Sequence, residues 1–185
     1  VSCSPSLTEM VYAMGIGERL VAVTDYCDWP AEVNTRKTAG TLTSVGGYFT
    51  PSVEGIIAAE GDLIMVDKGV QAQIDMLPQL NNTGQKYIVL DKGTTFDEVY
   101  VTIMMVGEIC WVKEEAEDLV DSMKERLEGI EAVIGDVEDM PTMSFAVWLD
   151  PIYPSGNGTF AADVISHAKG VNVYGGKITY KAVAD

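Results

Sequence analysis

The first half of the chain places its hydrophobic residues in short blocks separated by polar stretches. Leu20-Val21-Ala22-Val23-Thr24, Asp62-Leu63-Ile64-Met65-Val66 and Lys86-Tyr87-Ile88-Val89-Leu90 are such blocks. Each is mostly apolar rather than alternating, and each is bounded by Gly or Asp. That pattern predicts parallel strands covered on both faces. The opening Val1-Ser2-Cys3-Ser4-Pro5 reads like the tail of another strand. Between the blocks lie helical segments. Ser6-Leu7-Thr8-Glu9 has capping-box spacing and predicts a helix to about Met14, stopped by Gly15. Thr50-Pro51 predicts a helix start with proline in the first turn, ending near Gly61. Gln71 to Leu80 predicts a third helix, disturbed by Pro78. Strand–helix alternation with short links implies an open α/β sheet with right-handed crossovers.

The period then lengthens. Phe96, Val99, Ile103, Val106 and Cys110 share one face of a helix predicted over Thr95 to Cys110. Ala116, Leu119, Val120, Met123, Leu127, Ile130 and Val133 form one stripe of a helix predicted over Lys113 to Ile134, whose other face is charged. At 1.5 Å per residue that helix is roughly 30 Å long, enough to brace two lobes or to lie on one surface. Past Pro141 a strand is predicted at Met143 to Leu149, a turn at Asp150 to Gly158, a helix at Thr159 to Ala168 and a strand at Val171 to Tyr174. This is the start of a second α/β lobe. The opening residues and the end at Ala182-Val183-Ala184-Asp185 are those expected of a segment of a longer protein.

Composition narrows the function. Hydrophobic residues make up 47% of the 185, enough for a packed core. A net charge of −16 repels phosphate backbones and argues against a nucleic-acid partner. No apolar run approaches the roughly 20 residues that span a bilayer. Cys3, Cys27 and Cys110 have no CxxC spacing, which removes zinc and iron–sulfur readings. They are expected to be small buried residues, with a Cys3–Cys27 disulfide as the lesser alternative. The lone histidine, His167, cannot build a multi-histidine metal site, and nothing sets it beside a serine. Phosphate-loop and dinucleotide glycine motifs are absent. No catalytic residue, metal ligand or cofactor is expected.

Open α/β sheets gather functional residues at the carboxyl ends of their strands. Those positions hold Cys3-Ser4-Pro5-Ser6, Asp25-Tyr26-Cys27-Asp28-Trp29-Pro30, Gly46-Gly47-Tyr48-Phe49, Lys68-Gly69 and, in the second lobe, Pro151-Ile152-Tyr153-Pro154. Tyr26, Trp29, Tyr48, Phe49 and Tyr153 would line one edge with few charges, which suits a large, partly apolar ligand. Arg36, Lys37 and Lys68 are the cations available to an anionic one. The competing reading is an α/β enzyme with Ser4 or Cys27 as nucleophile, its base supplied from elsewhere.

The spaced motifs Ser4-Pro5-Ser6-x-Thr8-Glu9, Gly15-x-Gly17-x-x-x-Val21-x-Val23, Tyr26-x-Asp28-Trp29-Pro30 and Ser52-Val53-Glu54-x-Ile56-Ile57-Ala58-x-x-x-Asp62-Leu63-Ile64 carry a resemblance. In that order they resemble the helical-backbone substrate-binding proteins of ABC importers for iron–siderophores, haem and vitamin B12. The likeness is strongest from Ser2 to Leu90. Gly61 departs from it, standing where the family often has proline.

The resemblance implies two Rossmann-like α/β lobes with parallel sheets, joined by a long backbone helix, with the second lobe incomplete. The boundaries would be an amino-terminal lobe at 1–111, the connecting helix at 112–136 and a partial carboxyl-terminal lobe at 137–185. It implies an extracytoplasmic protein, not an enzyme, that hands a corrinoid or ferric siderophore to a transporter permease. Ser6, Tyr26 and Tyr48 match first-lobe ligand contacts of the B12-binding branch, and Tyr153 a second-lobe aromatic contact. Haem would use Tyr26, Tyr48 or Tyr153 as axial ligand. Glu54 matches a carboxylate that docks on permease arginines, although a first-turn acid is also favoured by the helix dipole. A half-built lobe exposes apolar edges, so self-association of this segment is expected.

Overall fold

The computed structural model describes residues 1–176; the end at Ala182 to Asp185 and the last part of the expected second lobe lie outside the described residues. The chain divides into two units, one of Val1–Lys92 with Met105–Ala116, the other of Gly93–Met104 with Glu117 onward.

In the first unit, residues 1–3 form the middle of a parallel sheet. Strand β1 (Ala22–Val23) pairs with β2 (Thr43–Ser44), and β3 (Ile64–Asp67) with β4 (Tyr87–Leu90), both parallel. Ser2 bridges β1 on one side and β3 on the other, through Ser2 N to Ala22 O and Cys3 N to Met65 O, both 3.0 Å. The order is therefore β2, β1, residues 1–3, β3, β4. The chain winds outward one way from the middle and then the other, which leaves a crevice at the carboxyl ends where the winding reverses. The β-branched blocks form these strands as expected, and β3 is buried along its whole length. One part of the core joins Cys3, Ala22, Val45, Ile56, Ile64, Val66, Met76 and Leu80.

Helix α1 (Pro5–Ala13) begins earlier than the capping-box spacing predicts. Its N-cap is Ser4, and Ser6 lies within the first turn. Ser4 makes no side-chain cap because its hydroxyl is directed to Asp67 at 3.1 Å. Gly15, with φ +74°, ends that segment as expected. Helix α2 (Ala31–Thr38) was not visible in the hydrophobic pattern: its sequence AEVNTRKT buries only Val33. Helix α3 (Val53–Ala58) starts after Pro51 rather than at it, since the Ser52 hydroxyl caps Gly55 N at 3.0 Å. Pro78 splits the third predicted helix into α4 (Gln71–Asp75) and α5 (Leu77–Asn82).

Helices α6 (Phe96–Ile109) and α7 (Lys113–Ile134) follow the predicted spans. They approach closely at Gly107, where an added Cβ would lie 2.3 Å from the Ala116 Cβ. Trp111 turns the chain between them with φ +58°. The stripe of α7 is buried at Ala116 and Val120 but exposed at Ile130 and Val133.

In the second unit, the single strand expected at Met143 to Leu149 is two, β5 (Thr142–Met143) and β6 (Ala146–Leu149). Part of the expected turn is a strand as well, β7 (Ile152–Pro154), antiparallel to β6. Helix α8 (Phe160–His167) is capped by the Thr159 hydroxyl, and β8 (Val171–Asn172) pairs with β5 in parallel. Among the described residues no helix is long and apolar enough to cross a membrane.

Candidate functional site

The chemistry of the first unit collects at the carboxyl ends of its strands, around Asp67. This residue ends β3 and is 1% exposed. A buried carboxylate needs compensation, and three hydrogen-bond donors and one ammonium supply it. The Tyr48 hydroxyl donates to Oδ2 at 2.8 Å and the Ser4 hydroxyl to the same oxygen at 3.1 Å. The Gly69 N–H donates to Oδ1 at 2.8 Å, and the Lys92 ammonium stands 3.6 Å from Oδ2. Lys92 also donates to the Tyr48 hydroxyl oxygen at 2.9 Å, its nitrogen 5.4 Å from the centre of that ring.

This arrangement fixes protonation states. Burial, reinforced by the Asp67 carboxylate, raises the Tyr48 pKa above its ordinary value of 10.0 against the opposing pull of Lys92. Burial works against the Lys92 charge, but the Tyr48 hydrogen bond and the Asp67 charge outweigh it and raise its pKa. Both shifts keep Tyr48 a neutral phenol and Lys92 an ammonium at neutral pH.

Gln73 ties two strand ends and a loop together beneath this cluster. Fully buried, its amide donates to Cys3 O at 2.8 Å and Tyr48 O at 2.9 Å, and accepts from Asp67 N at 2.9 Å. Ser6 joins at the edge, its hydroxyl 3.1 Å from that of Ser4.

The neighbouring loop after β1 is held from below by Lys37, whose ammonium donates to the carbonyls of Thr24, Asp25 and Cys27 at 3.0, 3.1 and 2.6 Å. Cys27 is tucked inward, its sulfur 3.2 Å from the hydroxyls of Thr8 and Thr24. Tyr26 and Trp29 face outward, 63% and 65% exposed. The Tyr48 loop is closed by Ser52 N to Val45 O at 2.7 Å and turns at Gly46, whose φ is +92°. The Tyr26 ring lies beside this loop: a Cβ on Gly47 would be 3.7 Å from its Cε2. Phe49, 64% exposed, packs edge-on to Tyr48 with centroids 4.7 Å apart.

The predicted residues thus fall into groups. Ser6, Tyr26, Tyr48 and Phe49 come together, and Trp29 shares the Tyr26 loop. Lys68 follows β3 but pairs with Asp91 at 3.3 Å. Arg36 and Lys37 are structural: Arg36 donates to the carbonyls of Gly17 and Leu20 at 2.7 and 2.8 Å and to the Tyr12 hydroxyl. Glu54 is exposed in the first turn of α3, within 3.3 Å of the Ser52 hydroxyl. Tyr153 belongs to the second unit, half-buried in β7 opposite Trp148.

Sequence reasoning missed Asp67, Gln73 and Lys92. Asp67 was legible as the polar residue ending an apolar strand; Gln73 and Lys92 left no local signal. Cys3, Cys27 and Cys110 are all free thiols, so the disulfide alternative fails. Among the described residues no cluster of His, Cys, Asp and Glu is placed to hold a metal ion.

The chain is 30% identical over 175 residues to the uncharacterised ABC transporter substrate-binding lipoprotein YvrC of Bacillus subtilis, covering 91% of this chain and 54% of that one. It is 26% identical to the vitamin B12-binding protein of Photorhabdus laumondii, covering 94% of this chain and 60% of that one. It therefore spans little more than half the length of these relatives. A solved structure of a possible iron-binding (periplasmic solute-binding) protein from Staphylococcus epidermidis superposes with TM-score 0.81 at 25% identity, covering all of this chain and 70% of that one. The motif order, the doubly wound sheet and a match along residues 1–185 lead to one conclusion: the chain belongs to the periplasmic binding protein family.

Proposed function

We propose that this chain is the ligand-capturing part of an extracytoplasmic solute-binding protein that serves an ABC importer, and that its ligand is a corrinoid. The observation that carries this reading is the set of exposed rings, Tyr26, Trp29 and Phe49, displayed on carboxyl-end loops beside the neutral Tyr48 phenol. Soluble proteins rarely leave such rings uncovered together unless a ligand covers them. One relative is named for vitamin B12 and a similar solved structure for possible iron binding, ligands that each contain a transition metal.

Charge separates the chelates. An anionic catecholate siderophore calls for clustered cations. Here Arg36 and Lys37 spend their donors on backbone carbonyls, Lys68 faces Asp91 and Lys92 faces Asp67. Haem calls for an axial ligand such as histidine or a tyrosinate; Tyr48 is held as a phenol, which leaves that role to the exposed Tyr26 or to Tyr153. A corrinoid, with its amide rim and broad apolar faces, needs neither. The enzyme alternative is not favoured. Ser4 and Cys27 are each 1% exposed, and the Ser4 hydroxyl is already committed to Asp67, so a substrate carbonyl cannot reach either.

Glu54 is assigned to permease docking: it is an exposed carboxylate on the first turn of α3. Self-association is assigned to the β6–β7 hairpin, where Trp148 and Leu149 are 64% and 77% exposed. Light scattering that finds a clean monomer at all concentrations removes that assignment.

The test is tryptophan quenching on titration with cyanocobalamin, a ferric tris-catecholate and haemin. Cyanocobalamin is expected to bind at micromolar concentration or tighter and the other two at least tenfold more weakly. Preference for either of the others overturns the corrinoid assignment, and binding of none overturns the receptor reading.

A further inference from the structure

The second unit contains a cavity of about 380 Å³ lined by none of the residues assigned to the solute site. One side of it is aromatic. Phe96 meets Phe160 edge-on with centroids 5.0 Å apart and His167 at 5.2 Å, and stands 6.4 Å from Tyr100. The other side is acidic. Asp97, Glu128, Glu131 and Asp163 line it against a single ammonium, Lys124, which leaves a clear excess of negative charge. Glu131 and Asp163 already have partners: His167 Nδ1 for the first, the Phe96 N–H at 2.8 Å for the second. Asp97 and Glu128 have none among the described residues.

Acidic residues alone would be an ordinary solvated face. Tyr100 makes the difference. It lines the cavity, is only 7% exposed, and its hydroxyl has no hydrogen-bond partner. A buried hydroxyl without a partner is unfavourable, and the Lys124 ammonium lies over the ring, 5.5 Å from its centre, without bonding the hydroxyl. The same oxygen feels all four carboxylates: burial first, then Asp97, Asp163, Glu128 and Glu131, raise its pKa, so it stays protonated in a strongly negative potential.

A water molecule could satisfy the hydroxyl but would leave the charge. A metal ion is disfavoured because no three of these groups are placed to coordinate one. A primary ammonium answers both demands. It donates N–H bonds to a tyrosine oxygen and to carboxylates at once, and its alkyl part can lie against Leu127 and Phe96. We propose that the Phe96–Tyr100–Glu128–Asp163 cavity is a binding site for a small organic primary amine, separate from the solute site of the first unit.

The test uses n-butylammonium as probe and tetramethylammonium as its control, equal in charge but without N–H donors. Calorimetry and the resonances of ring-labelled tyrosine follow the titration at physiological ionic strength. One butylammonium is expected to bind per chain, at least tenfold more tightly than tetramethylammonium. Tyr100→Phe, which deletes only the hydroxyl, is expected to weaken it at least tenfold with a thermal midpoint no lower than the parent's. Glu128→Gln, on the exposed side, is expected to weaken it independently, and it serves as the deciding variant should Tyr100→Phe misfold. No saturable binding, or equal affinity for the two cations, or full affinity in both variants, overturns the proposal in favour of a diffuse acidic surface.

Discussion

Lys92 donates a hydrogen bond to the Tyr48 hydroxyl at 2.9 Å, and Tyr48 donates in turn to Asp67 at 2.8 Å, so one phenol relays between a half-exposed ammonium and a buried carboxylate. The three residues come from separate segments, and Gln73 fixes two of them, tying the Tyr48 loop and the end of β3 to Cys3.

Asp67→Ala removes the acceptor for Ser4, Tyr48 and Gly69 and the counter-charge of Lys92. A loss of about 3 kcal/mol in urea-unfolding stability is expected, near the value for breaking a buried polar network. Tyr48→Phe, which keeps the ring, is expected to lose only about 1 kcal/mol. Because the two share one network, the double variant should cost less than the sum of the singles. Strict additivity would show that the relay is not an energetic unit.

Burial pushes the Cys3 thiol from its ordinary 9.0 up to about 12. The unfolded chain therefore releases this proton first as pH rises, and holds fewer protons than the native state across that window. Stability is complete below pH 9.0 and falls between there and about pH 12, by about 1.4 kcal/mol per pH unit from this residue. Raised Tyr48 and Lys92 values act with the same sign at the upper end. Urea midpoints measured from pH 8 upward should show the decline, and Cys3→Ala should flatten its first part. Thiol titration of unreduced, denatured protein should find three free thiols.

Gly107→Ala tests the contact of α6 with α7. Alanine ordinarily gains about 1 kcal/mol over glycine inside a helix. Here the new methyl would sit 2.3 Å from the Ala116 Cβ and 3.1 Å from Val112 O. A net destabilisation of about 2 kcal/mol is expected by thermal unfolding. Ala116→Gly in the same chain should recover part of it. A stabilised single variant would show that the helices can separate freely.

Tyr26→Ala and Phe49→Ala remove side chains more than three-fifths exposed. Unfolding stability should change by no more than about 0.5 kcal/mol. Cyanocobalamin affinity should fall about tenfold in each, the worth of one lost aromatic contact. Unchanged affinity in both would remove these rings from the solute site.

Much of this was legible in order along the chain. The strands at Ile64–Asp67 and Tyr87–Leu90 announce themselves as β-branched blocks, and α7 as a single apolar stripe, because burial on two faces or on one leaves a period that a sequence displays. Helix α2 leaves none. It buries only Val33 and is held by Arg36 and Lys37 donating to distant carbonyls, interactions that have no period. The hairpin of β6 and β7 was hidden for a related reason. Its residues are apolar on both sides and largely exposed, so alternation gives no boundary between strand and turn.

By itself the sequence determined the α/β alternation, the family and the loops on which Tyr26, Tyr48 and Phe49 stand, since these depend on periodicity and on motifs read in register. Only the tertiary structure decided which charges are spent. Lys37 and Arg36 are consumed by backbone carbonyls, while Lys92, 44 residues beyond Tyr48, turns out to be its partner. Pairing between distant loops is set by how the sheet winds from its middle strand, and winding is a property of the packed chain rather than of any stretch of it.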